Sequence, residues 1–89
     1  MVSTNERIAL LRHHEEFCYS ICLYLVRCDK LACEAAAAAL FNLAHCESFF
    51  QAGEMDRHQL LRKESARCAL QTLIRKAGET QPVEQHYGI

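Results

Sequence analysis

Apolar positions recur at steps of three and four from the start of the chain. Leu10, Leu11, Phe17, Cys18, Ile21, Tyr24 and Leu25 form a wide stripe that also takes in His14. Such spacing predicts an amphipathic helix over about residues 4–27, with Arg7, Arg12, Glu15 and Glu16 on its solvated side. Ser3-Thr4-Asn5-Glu6 reads as a capping box at its start. A second helix is expected over about residues 30–50, with Asp29 as N-cap. It carries Leu31, Leu40, Phe41, Leu43 and Phe49 among seven alanines. The Ala35–Ala39 run makes its middle slim and strongly helix-favouring, so a partner helix can approach closely. Gly53 fits a left-handed C-cap there. Asp56 then caps a third helix over about residues 57–77, with Leu60, Leu61, Ala66, Cys68, Leu70, Leu73 and Ile74 at helical spacing. Gly78 is expected to end it, and residues 78–89 lack periodicity and read as a flexible tail.

The pattern therefore predicts one small all-α domain over residues 1–77. The first two helices form an antiparallel hairpin, because short connections join antiparallel neighbours, and the third packs across them. Leu11, Phe17, Ile21, Leu25, Leu40, Leu43, Leu61, Leu70 and Leu73 are the expected core.

Composition narrows the function more than the fold. Over 89 residues the chain is 51% hydrophobic and 24% charged, with three glycines and one proline, which excludes a disordered or low-complexity chain. Ten Lys and Arg against eleven Asp and Glu leave a net charge of −1, so overall charge points to neither nucleic acid nor an anionic membrane. The N-terminus lacks the pattern of a secretory signal, and no apolar run approaches the ~20 residues that span a bilayer. A cytoplasmic location is the expectation, with the six cysteines as reduced thiols.

Catalytic motifs are absent: there is no GxSxG, no phosphate-cradling glycine loop and no HExxH. His13-His14-Glu15-Glu16 looks suited to acid–base work, but adjacent helical residues splay over different faces. No enzymatic activity and no cofactor are expected. His14, Cys18 and Cys22 share a helix face and are the alternative for a soft metal ion. Without a CxxC pair, core packing is the favoured reading of these thiols. The third helix is the basic element, with Arg62, Lys63, Arg67, Arg75 and Lys76 available for weak phosphate contacts. About four such contacts would give salt-sensitive, sequence-indifferent binding of single-stranded DNA, with a log–log salt slope near −3 to −4.

Three stretches resemble the core-binding and promoter-melting helical domain (region two) of bacterial sigma factors of the extracytoplasmic-function type. Residues 11–27, from Leu11-Arg12-His13 to Val26-Arg27, are similar to that family's opening helix. Asp29-Lys30-Leu31-Ala32-Cys33-Glu34 through Leu43 resembles its acidic second segment. Leu60-Leu61-Arg62-Lys63 through Arg75-Lys76 resembles its third, promoter-melting helix. The resemblance covers about residues 10–76. It implies a sigma-like regulatory module that binds RNA polymerase or another regulator, with Glu34 and Asn42 at the polymerase-contacting positions. Ala37 and Ala38 stand where the family has glutamine and glutamate. Leu60 and Arg62 stand where it has the aromatics that stack on an unpaired base, and no helix-turn-helix domain is expected to follow. What the residues imply in its place is a module that binds without reading promoters. The other expectation from the residues is a purely structural helical bundle that binds a protein partner. A second copy of the chain would also complete so small a core.

Overall fold

The computed structural model describes residues 3–87, with side chains as far as Gly78. It is all-α, and the described residues form no strand. Five helices follow one another: α1 (Thr4–His13), α2 (Glu15–Val26), α3 (Asp29–Ala44), α4 (Glu47–Gln51) and α5 (Glu54–Tyr87). The three long ones pack on each other, and α1 and α4 lie against one end.

The capping box is present. Ser3 Oγ accepts from the Glu6 amide at 3.2 Å, and the Glu6 carboxylate accepts from the Ser3 amide at 2.9 Å. The helix that starts there is shorter than the stripe implies. His14 takes φ −102°, ψ 4°, and its amide turns back to the Leu11 carbonyl at 3.1 Å. One residue later α2 begins, with the His14 carbonyl accepting from the Cys18 amide at 3.0 Å. The single helix expected over 4–27 is thus two, and the stripe survives the break because the chain resumes after one residue.

Helix α2 ends on Arg27, in the left-handed region at φ 57°, ψ 34°. No described glycine has a positive φ, so the left-handed cap falls on arginine and Gly53 does not supply it. Two residues, Arg27 and Cys28, join α2 to α3. Asp29 is the first residue of α3, and Cys28 is its cap. The Asp29 carboxylate instead accepts from the Tyr19 hydroxyl at 2.9 Å. The helix expected over 30–50 is also two, divided at His45 and Cys46. His45 Nδ1 donates to the Phe41 carbonyl at 2.9 Å as α3 ends.

Helix α4 stops at an extended Ala52. Its last carbonyls are served from the next helix. Arg57 Nε donates to Phe49 O at 3.1 Å, and a terminal nitrogen donates to Ala52 O at 2.8 Å. Helix α5 starts before the expected boundary, with Asp56 inside its first turn, and continues past Gly78 to Tyr87. The segment expected as a tail is therefore helical as far as Tyr87. Its side chains beyond Gly78 lie outside the described residues.

The core is made mostly of small residues. Cys18, Cys22 and Val26 enter it from α2, and Ala32, Ala35, Ala36, Ala39 and Leu43 from α3. From α5 come Leu61, Ser65, Cys68, Ala69 and Thr72, and Phe49 and Phe50 close the α4 end. Of the expected core only Leu43 and Leu61 are buried. Leu11, Ile21, Leu25, Leu40 and Leu73 are half-buried, while Phe17 is 37% and Leu70 52% exposed. The displacement is regular. On α2 the buried face runs through Cys18, Cys22 and Val26 instead of Phe17, Ile21 and Leu25, one residue further along. On α5 it runs through Ala69 and Thr72 instead of Leu70 and Leu73, one residue back. Small side chains let the helices close up, and the large ones are left to fill the flanks.

Candidate interaction surfaces

The thiols at the centre of the bundle are its most distinctive chemistry. Ser65, fully buried on α5, donates through Oγ to Cys18 Sγ at 3.0 Å. Cys18 Sγ lies 3.8 Å from the Ala36 carbonyl, and Cys22 Sγ donates to the Ser65 carbonyl at 3.6 Å. These bonds tie α2 to both α3 and α5. Burial pushes the Cys18 thiol up, and burial with the neighbouring Cys18 thiol pushes Cys22 up to about 12. Burial also raises Cys68, with Glu64 beside it. All three therefore stay protonated, whereas a nucleophile or metal ligand would be a thiolate. His14 turns its ring towards Phe49 and His58. Among the described residues no three His, Cys, Asp or Glu side chains converge to hold a metal ion, and His14, Cys18 and Cys22 are not brought together as such a group. Ser65 was missed from sequence, although Leu61, Ser65, Cys68, Ala69 and Thr72 follow helical spacing and mark a stripe of small residues.

Glu34 and Asn42, the two positions singled out by the resemblance, face the bundle's own third long helix. Glu34 Oε1 accepts from Arg75 at 2.9 Å. Arg75, with Lys76 and Lys30 nearby, holds the Glu34 carboxyl below the usual carboxylate range. Asn42 Nδ2 donates to Glu64 Oε2 at 2.7 Å, and Glu64 also pairs with Arg67. Glu34 and Asn42 thus fasten α3 to α5. The basic set divides accordingly. Arg67 and Arg75 pair with carboxylates, Arg62 and Lys63 are exposed on α5, and Lys76 is half-buried. Their positions wind around the helix, and no single basic face collects all five.

Among the described residues, open grooves run between the helices. One of about 700 Å³ lies between α3 and α5, with Leu43, Cys46, Leu60 and Leu70 as its apolar lining and Lys63 and Arg67 beside them. Another, about 550 Å³, lies between α2 and α3. Ala36, Ala37, Leu40 and Tyr19 line it, and the exposed Glu15 and Glu16 make it acidic at the N-terminal end of α2. The alanine run creates this groove: Ala36 turns inward and Ala37 outward, and neither fills the space beside Leu40. No helix among the described residues is long and apolar enough to cross a membrane. No protein-family model matches the chain, and no curated protein and no solved structure matches it either.

Proposed function

We propose that the chain is a non-enzymatic, cytoplasmic binding module of sigma-like type, acting on transcription by holding RNA polymerase or another regulator. The observation that carries this reading is the α2–α3 groove, apolar along its alanine floor and acidic at one end. Such a surface suits a helix or loop with apolar anchors and basic flanks. The resemblance over residues 10–76 supports a transcriptional partner. The exposed Arg62 and Lys63 leave a weak phosphate contact to DNA, well short of promoter recognition. A second reading, a purely structural bundle, is favoured by one specific observation: Glu34 and Asn42 are occupied by α5.

Affinity purification from the native host separates the two. Wild-type protein should recover polymerase subunits. Ala37→Arg, placed in the groove at an exposed position outside the core, should lose them while melting normally. Recovery of no polymerase by the wild type would leave the structural reading, and equal recovery by Ala37→Arg would remove the groove from the account.

A further inference from the structure

Helix α1 is held unlike the three long helices, and a buried histidine sits at its hinge. None of its residues is fully buried. Arg7 anchors it, with a terminal nitrogen bonding both oxygens of Glu47 at 2.8 and 3.0 Å and its guanidinium 4.5 Å from the centre of the Phe50 ring. At the other end His14, 5% exposed, is the single residue between α1 and α2. Its ring stands edge-on to Phe49 at 6.1 Å, to His58 at 5.4 Å and to His13 at 5.0 Å between centroids.

The surroundings of that ring are hostile to a positive charge. α1 contributes His13, and α5 contributes His58, Arg57 and the acid Glu54. α4 offers the uncharged Phe49, while Glu15 and Glu16 at the start of α2 are exposed to solvent. Arg57 is fixed in place by the α4 carbonyls it caps and cannot swing aside without undoing them. Burial, and then the charges of His13, His58 and Arg57, hold the His14 pKa below the ordinary imidazole value of 6.5.

We propose that His14 is the trigger of an acid-released latch: charging its ring at the hinge undocks α1 from α4 and uncovers the Phe49–Phe50 face, while α2, α3 and α5 stay packed. The sign follows from linkage. A histidine that is harder to protonate when folded supports the docked state fully above pH 6.5, and that support is lost as pH falls through the lowered folded value. What resists it is the Arg7 contacts and the half-buried Leu10 and Leu11 packed against the core, with no side chain of α1 fully buried.

Residue-resolved amide hydrogen exchange, corrected for intrinsic rates, tests the latch between pH 7.5 and 5.0. In the wild type, α1 amides should lose protection while α2 and α3 amides keep theirs. His14→Phe, which keeps a ring that cannot charge, should hold α1 at both pH values, and His14→Gln should do the same if the larger ring is not accommodated. Protection in α2 and α3 reports that either variant is folded. His13→Gln should leave the acid response in place. Undiminished α1 protection at pH 5.0 in the wild type, or an equal acid loss in both His14 variants, overturns the proposal.

Discussion

Two ends of one small molecule are assembled on different principles. Where α2, α3 and α5 meet, alanines, cysteines, a serine and a threonine fill most of the interface around Val26, Leu43 and Leu61. Buried hydrogen bonds through sulfur and hydroxyl groups link the three helices there. At the α1–α4 end the contacts come from large rings and from long cationic side chains. Arg7 lies over Phe50, Arg57 caps α4, and His14 is wedged against Phe49. Small side chains fix the separation of helices closely, because each contact involves the backbone or an atom next to it. Long side chains reach across gaps and tolerate movement at little cost. The first end should therefore behave as one cooperative unit, and the second as an attachment to it.

The widest expected contrast is chemical. In a brief iodoacetamide pulse at pH 8 read by mass spectrometry, exposed Cys28 and Cys33 should be modified in the native protein. Buried Cys18, Cys22 and Cys68 should react only when the chain unfolds, since both burial and the absence of thiolate protect them. Rapid native labelling of Cys22 would break the description of the core.

Next come substitutions that distinguish buried from exposed leucine. Leu61→Ala, in the centre of the interface, should lose about 2–5 kcal/mol in urea denaturation. Leu70→Ala, which pure periodicity would place in the core, should stay within about 0.5 kcal/mol of wild type. Comparable losses for both would return Leu70 to the core and contradict the one-residue rotation of α5. Between these extremes, Ala39→Leu forces extra methylenes between helices already in close contact, and about 1–3 kcal/mol of destabilisation is expected. A stabilised Ala39→Leu protein would show that the interface is loosely filled. Smallest in global effect is Arg7→Ala, which should barely shift the denaturation midpoint and yet release α1, seen as faster exchange of its amides alone. A large drop in midpoint would make α1 part of the core unit.

The helical class, the capping box and the tight turn before α3 were legible in the sequence because each depends on local signals. Ser3 and Glu6 lie three residues apart, and Asp29 opens α3, although its side chain binds Tyr19 instead of capping. The breaks at His14 and at His45–Cys46 were not legible. No glycine or proline marks them, and each interrupts the helix so briefly that the apolar spacing continues across it. The buried face was misjudged by one position for a related reason. Periodicity locates a stripe about as wide as two neighbouring rows and does not say which row holds the centre. In this chain the slim rows hold the centre, since only they allow three backbones to approach. Glu34 and Asn42 could be singled out by resemblance, but their engagement with Arg75 and Glu64 depends on how α3 and α5 lie against each other, which no local pattern states.

Native-state hydrogen exchange at neutral pH, followed as urea is raised below the unfolding transition, tests the division of the molecule most directly. The slowest amides of α2, α3 and the Leu61–Thr72 part of α5 should share one opening free energy equal to that of global unfolding. Amides of α1 should open at distinctly lower free energy, with a urea dependence smaller than that of global unfolding. If the α1 amides instead joined the same isotherm as the core, the molecule would be a single cooperative unit, and the two-ended account would be contradicted.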